Sequence, residues 1–354
     1  MDPSVGIIMR TKDRPVLLRR AIASVVNQSY NNWHMVIVND GGNPADVDRL
    51  VEHYTALSRG RVSVIHNAES LGMEAASNKG IETVQTQYLA IHDDDDTWAP
   101  EFLTVAVAEL REIRKGFPTV AGVITLANAV FERIDGNVVH IERTEPYRTS
   151  DKRGIVSLDG ILTENQFAPI QFLFRYDAAR EVGFFRPELP VLGDWDFNVR
   201  FMCRYDIFII PQFLAFYHHR VGDQTPYGNT IIADRSRHDL YATILKNEWL
   251  RRDIHARGTG VGAHVNVRQA IHNLEQTIRR FEGQALPFGS ARPAGRGPGT
   301  FSRRMRRSVQ LARLWLASGK QWHYAKKFFH LLFSQGPAAA FRKVTSWFFT
   351  LHGG

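Results

Sequence analysis

Between Val5 and about Tyr217, apolar runs alternate with amphipathic stretches at intervals of about 30 residues, and this limits the fold more than any other feature. Residues 5–9 read as a buried strand. Pro15 then opens a helix through about Asn27, with Leu17, Leu18, Ala21, Ile22, Val25 and Val26 at helical spacing. The pattern repeats with strands at 34–38, 62–66 and 88–91 and helices at 44–58 and 73–86. Such an order predicts an α/β fold, a mostly parallel sheet flanked by helices on both faces. Ligands of such sheets sit beyond the carboxyl ends of the strands. Asp40 and the run Asp93–Asp96 would lie there.

Beyond Gly116 the reading becomes strand-rich, with segments at 120–125, 127–133 and 137–142. Further strands are expected at 172–175, 207–210 and 214–218, with helices at 177–182, from 193 to about 204, and at 232–252. Residues 265–281 can form an amphipathic helix. Residues 283–300 carry five Gly and three Pro and read as a linker. The expected organisation is a catalytic-type domain at 1–225, a helical extension at 226–282, that linker, and a tail at 301–354.

Charge separates the two ends of the 354-residue chain. Residues 251–354 hold 18 Lys and Arg against 3 Asp and Glu, whereas residues 1–250 are net acidic. In the tail, cations such as Arg303, Arg304, Arg306 and Arg307 are interleaved with Leu314, Trp315, Phe328, Trp347 and Phe348. That pattern suits an amphipathic helix on an anionic membrane surface. It also suits a helical subdomain packed on protein. A nucleic-acid partner is not expected, since no nucleic-acid module is visible. Cys203 is the single cysteine, which removes internal disulfides and multi-Cys metal sites and fits a reducing cytoplasm. The charged N-terminal segment does not read as a signal peptide, and no apolar stretch of about 18 residues reads as a membrane span.

Four groups of residues can carry chemistry. Asp93, Asp94, Asp95 and Asp96 would repel one another unless exposed or neutralised by a cation. Hard oxygen donors on a loop suit Mg²⁺ or Mn²⁺ beside a diphosphate, although an acidic turn capping the helix after Pro100 has the same composition. Asp40 could accept the imide N–H of a uracil ring, or could simply shape a turn before Gly41 and Gly42. Thr11 and Asp13 would face the same crevice. In Gly193-Asp194-Trp195-Asp196, a carboxylate beside an aromatic ring suits a general base acting on a sugar hydroxyl, and equally a helix N-cap. His218 and His219 could complete a metal shell or be structural.

Taken in order, these pieces resemble the family-2 inverting glycosyltransferases of the GT-A (Rossmann-like) fold, over about residues 4–220. The resemblance rests on VGIIMRTKDRP at 5–15, SVVNQSY at 24–30, VIVNDG at 36–41, SLG at 70–72 and ASNKGI at 76–81. The aspartate run with Trp98 and Pro100, Asp194-Trp195-Asp196 and Arg200 complete it. It implies that Thr11, Asp13, Asp40 and Asn78 line the nucleoside pocket. Asp93 and Asp95 match the DXD pair, with Asp95 as metal ligand and Asp93 on ribose or metal. Asp194 matches the base, with Trp195 and Asp196 on the acceptor side, and His218 or His219 matches a late histidine near the metal. One departure stands out: the family commonly has Glu before its base, where this chain has Gly193, which leaves Asp196 as a rival base.

The implied activity is metal-dependent transfer, with inversion, of a sugar from a nucleotide-diphosphate donor, foremost a UDP-sugar. The acceptor would be a hydroxyl of a glycan or lipid-linked glycan in cell-surface polysaccharide synthesis. The expected location is the cytoplasm, peripheral on the inner membrane, with a homo-oligomer left open. A nucleotidyl- or phosphotransferase and a non-catalytic sugar-nucleotide-binding module are the alternatives.

Overall fold

The computed structural model describes residues 4–136, 138–148, 153–220, 235–256 and 261–284. The elements run β1 (Val5–Thr11), α1 (Pro15–Val26), β2 (Trp33–Asp40), α2 (Pro44–Ser58), β3 (Val62–Asn67), α3 (Met73–Glu82) and β4 (Tyr88–Asp93). A two-residue β5 (Thr97–Trp98), α4 (Phe102–Gly116), β6 (Val120–Asp135), β7 (Val138–Pro146), β8 (Gly154–Ile155) and α5 (Leu158–Thr163) come next. The remainder is β9 (Phe172–Arg175), α6 (Tyr176–Val182), α7 (Gly193–Met202), β10 (Asp206–Arg220), α8 (Arg235–His255) and α9 (Val261–Gln284).

The strands form one sheet in the order β3-β2-β1-β4-β9-β6-β10-β5, with β7 on β6 and β8 on β10. Its first four strands are all parallel, as the strand–helix alternation predicts. Beyond them the sheet is mixed: β9 runs antiparallel between β4 and β6, while β10 is parallel to β6. Alternation along β1 sends Ile8 to one apolar layer and Val5, Ile7 and Met9 to the other, so both faces of the sheet are covered. α3 packs closely against β1 and β2 because Gly80 has no side chain. A Cβ there would lie 2.7 Å from Ile8 Cγ2. That contact fixes where the first turn of α3 projects.

Two pairs of expected strands are single strands. No turn residue separates 120–125 from 127–133, and buried Leu126 carries β6 straight through. Pro211 reads as a break in sequence, but the structure accommodates it as a bulge, with a register shift between Ile210 and Phe213. α3 stops at Glu82, where the Thr83 hydroxyl donates to Gly80 O at 2.8 Å.

Met1–Arg280 is one compact unit. Within it the expected helical extension packs on α7: Leu245, Trp249 and Val265 join the core, and Trp249 meets Trp195 edge-on at 5.4 Å. The linker past Gln284 and the tail 301–354 lie outside the described residues. Among the described residues no helix is long and apolar enough to cross a membrane.

Candidate functional site

The four aspartates at and just after the end of β4 are each partnered, most of them by arginines. Asp93 Oδ1 accepts from Arg10 Nε at 3.1 Å. Asp94 Oδ2 accepts from the Thr11 hydroxyl at 2.7 Å and from Arg14 Nε at 3.1 Å. Asp95 Oδ2 is paired with Arg14 at 3.4 Å and with Arg220, whose side chain is almost wholly buried. Asp96 Oδ1 accepts the His218 backbone N–H at 2.9 Å. Asp94, Asp95 and Asp96 are shifted differently. Burial pushes Asp94 up to about 6 against the pull of Arg14. Asp95 is also desolvated, but Arg14 and Arg220 bring it below the ordinary value. Burial, reinforced by the charge of Asp95, drives Asp96 well above the ordinary range. Asp96 Oδ2 is buried without a hydrogen-bond partner, as suits a neutral carboxyl.

Behind this turn lies a second charged layer from β6 and β10. Buried Glu132 accepts from Arg20 at 2.6 Å, from Arg220 at 2.9 Å and from His218 Nδ1 at 2.8 Å. Burial opposes its ionisation, but the bonds from His218 and Arg20 prevail and hold it down to about 2. Arg220 therefore bridges Asp95 to Glu132, and Arg20 reaches from Glu132 to the Asp95 carbonyl at 2.7 Å. His92, fully buried at the end of β4, is kept neutral by desolvation, with its pKa lowered to about 4.

Across from the aspartates stands the N-terminus of α7, which carries Asp194. Its carboxylate accepts from Asn165 Nδ2 at 2.6 Å. Desolvation raises its pKa, against the bonds from the Trp195 amide and Asn165 and the charge of Arg10. A carboxylate in the first turn of a helix is also favoured by the helix dipole. Arg10 connects the two sides: its guanidinium meets Asp93, and its Nη1 lies 3.3 Å from Glu74 Oε2 in the first turn of α3. Burial brings Glu74 up to about 7 despite Arg10, with Asp194 and Asp93 adding to the rise.

Several of the predicted residues are engaged by other parts of the chain. The Asp40 carboxylate is hydrogen-bonded within the chain. Its two oxygens accept from Asn67 Nδ2, the Ser70 hydroxyl and the Leu71 amide, each at 2.8 Å, and from the Gly72 amide at 3.0 Å. A carboxylate has about four acceptor positions, so these donors occupy it while pinning the β3–α3 loop. Asn78 clamps Phe185 through both backbone groups, at 2.7 and 3.0 Å, instead of lining a pocket. Trp195 is buried, with its indole N–H on Ile161 O at 2.6 Å, so its ring is not offered to a sugar. Asp196 is 1% exposed and paired with Arg200 at 2.7 Å and Arg186 at 3.4 Å. His218 has both ring nitrogens engaged, by Glu132 and by the Thr97 hydroxyl at 2.9 Å. His219 points to the other face of β10, stacked on Phe131 at 5.1 Å. The side chain that β10 places on Asp95 is Arg220.

The other predicted residues sit as follows. Thr11 positions Asp94. Asp13, in the left-handed region at φ 53°, holds the Asn43 amide at 2.9 Å through Oδ1 and is exposed. Asp93, Asp95 and Asp194 gather around the Arg10, Arg14 and Arg220 guanidiniums. Sequence reasoning missed Glu74, Glu132, Asn165 and these arginines. The usable signal was charge balance: four adjacent carboxylates at a buried strand end require nearby cations, and Arg10 and Arg14 flank the neighbouring strand end.

Among the described residues no group of three or more His, Cys, Asp or Glu is placed to hold a metal ion. A Mg²⁺ ion chelated by a diphosphate needs only one or two protein carboxylates. Asp93 is bonded through Oδ1 and Asp95 through Oδ2, and their side chains are 25% and 12% exposed. Each thus keeps a second hard oxygen, the donor type that such an ion takes.

Comparison with known proteins places the chain among similar sequences and folds. Residues 6–161 match the sequence profile of a family described as glycosyl transferase family 2. The chain is 38% identical over 112 residues to the Escherichia coli K12 protein named as the colanic acid biosynthesis glycosyl transferase WcaA. That match covers 32% of this chain and 39% of WcaA. It is 30% identical over 101 residues to the Bacillus subtilis 168 protein named as the teichuronic acid biosynthesis glycosyltransferase TuaG, covering 28% and 39% respectively. The chain thus spans about two fifths of the length of either relative. The crystal structure of S. aureus TarS 1-349 in complex with UDP-GlcNAc superposes with a TM-score of 0.50 at 17% identity, over 64% of this chain and 62% of that one. That likeness concerns the fold, which is of the GT-A kind. Asp194 and Arg220 lie beyond the residues that the family profile covers.

Proposed function

Because the chain carries a family 2 glycosyl transferase domain, we propose that it transfers a sugar from a nucleotide-diphosphate donor, most readily a UDP-sugar, to a hydroxyl of a glycan or lipid-linked glycan in cell-surface polysaccharide synthesis. The observation that carries this reading is the meeting of Asp93, at the end of β4, and Asp194, at the start of α7, around Arg10. It brings a donor-side carboxylate into contact with a guanidinium whose charge also reaches a candidate base.

In this reading Asp13 and Asp93 bind the nucleoside. Asp93 and Asp95 would hold a Mg²⁺ or Mn²⁺ ion, whose chemistry when bound is to neutralise the departing nucleoside diphosphate. Arg14 and Arg220 fix Asp95, so its remaining oxygen keeps one direction. Asp194 takes the proton of the acceptor hydroxyl. Asn165 and the α7 N-terminus hold Asp194 in place, while its raised pKa makes it a stronger base than an exposed aspartate. One displacement on the face opposite the leaving group inverts the anomeric carbon, and no covalent sugar–enzyme intermediate forms. The basic, aromatic segment 301–354 holds the chain to anionic lipid at the cytoplasmic face of the inner membrane, where a lipid-linked acceptor lies. The test is release of nucleoside diphosphate from a panel of sugar nucleotides with Mn²⁺ or Mg²⁺, in the wild type and in Asp194→Asn. A loss of about 10²–10⁴-fold is expected in the variant. Unchanged turnover would reject Asp194 as the base.

A further inference from the structure

Glu74 is an isolated acid on the first turn of an otherwise neutral helix face, 4% exposed, and the transfer chemistry does not by itself require it. A buried carboxylate persists when it is paired and hydrogen-bonded. Glu74 has two such partners. Arg10 lies 3.3 Å from Oε2. On its other side is the start of α7, where the Gly193 backbone amide donates to the carboxylate.

This second contact is unusually close. A Cβ built on Gly193 would lie 2.2 Å from Glu74 Oε1, 2.4 Å from Cδ and 2.6 Å from Cγ. The end of the Glu74 side chain fills the volume that a side chain at 193 would take, so an alanine there would push Glu74 out of its place. Position 193 immediately precedes Asp194. Arg10, the partner of Glu74 on the far side, also binds Asp93. A continuous chain of contacts thus runs from Asp93 through Arg10 and Glu74 to Gly193 and Asp194.

We propose that Glu74 is a positioning residue for the transfer, a carboxylate lent by α3 to the N-terminus of α7 that, with Arg10, sets the base Asp194 at a fixed place relative to the donor-side Asp93. Glu74 touches neither donor nor acceptor. Its backbone is anchored independently, because α3 is pressed on β1 through Gly80 and its entry loop is pinned by Asp40. This assignment rests on the glycosyltransferase reading, with Asp194 as base.

The experiment compares full-length wild type, Glu74→Ala, Gly193→Ala, the double variant and Asp194→Asn in two measurements. The first is turnover of the sugar nucleotide that the wild type hydrolyses, beside UDP affinity by calorimetry. The second is hydrogen exchange of the amides at 193–196. Each single variant is expected to lose about 10- to 100-fold in kcat, as for a displaced catalytic group, with UDP affinity unchanged within about threefold. The double variant is expected to be no worse than the poorer single one, since both break the same contact. Exchange at 193–196 is expected to quicken in both single variants, and Glu74→Gln, which keeps an acceptor for the Gly193 amide, is expected to restore protection. Multiplicative losses in the double variant, or parallel loss of UDP affinity and kcat, would overturn the proposal. So would unchanged protection at 193–196, even in a protein without measurable turnover. If Asp194→Asn abolishes turnover and Glu74→Ala does not, only the positioning role fails. If no sugar nucleotide is turned over and UDP does not bind, while exchange responds as described, the glycosyltransferase reading fails and the contact survives as architecture.

Discussion

Replacing Arg220 by Met tests the electrostatics behind the aspartate turn. Met retains much of the length and apolar volume, so little cavity is created and the main change is one missing cation. Arg220 is 1% exposed, between Asp95 and fully buried Glu132. Removing one partner of a buried ion pair costs about 3–5 kcal/mol because the other charge stays behind. Arg14 still faces Asp95, and Arg20 and His218 still face Glu132, which places the cost at the low end, about 3 kcal/mol. For a cooperative unit of this size, that lowers Tm by about 5 °C. The pH dependence carries the sharper test. Glu132 is held down to about 2, so in the wild type its contribution is complete above the ordinary carboxylate value and is lost only as pH falls toward 2. Without Arg220 the carboxylate of Asp95, which that cation helps to hold below the ordinary value, moves up, and its protonation relieves the uncompensated charge as pH falls. The Tm deficit measured by calorimetry should therefore be smaller at pH 5 than at pH 7.5. Asp94, pushed up to about 6, titrates in that window in both proteins, so each pair is compared at a single pH. Equal deficits at the two pH values, or a variant more stable than the wild type at pH 7.5, would refute the reasoning.

Other outcomes follow from the same structure. Asp40→Asn should cost about 2–4 kcal/mol of stability, because hydrogen bonds to a charged acceptor contribute about 1.5–3 kcal/mol each and exposed donors recover part of the loss in water; urea denaturation measures it. Asp196→Asn should lower Tm by loosening Arg200 from the carbonyls of Val182 and Phe184, yet leave turnover below the transition within about threefold. A hundredfold loss would return Asp196 to the chemistry. Turnover should rise with pH through a midpoint above the ordinary aspartate value, since burial raises Asp194 and the carboxylate form is the base; Asp194→Asn should abolish that limb. Removing divalent metal with EDTA should suppress turnover, and Mn²⁺ or Mg²⁺ should restore it. Flotation of the full chain on vesicles should require anionic lipid and weaken with salt; equal flotation on neutral vesicles would reject the electrostatic role given to 301–354.

Sequence alone determined the parallel half of the sheet, because apolar periodicity is a local signal: β1, β2, β3 and β4 and the helices between them lie close to where alternation placed them. It also determined that acidic groups end these strands, since the C-terminal edge follows from direction and topology. Tertiary structure decided which acids are available. Asp40 and Asp95 are alike as letters, but one is filled by four donors and the other keeps an oxygen beside two guanidiniums. Pro211 reads as an interruption and is a bulge, because it falls between the paired residues Ile210 and Phe213, where β6 asks for no N–H. Glu74 and Gly193 stand 119 positions apart, so no local pattern links them. Their contact comes from packing α3 on β1 and from threading α7 across it, and solvent exclusion there settles the charge each carboxylate can hold.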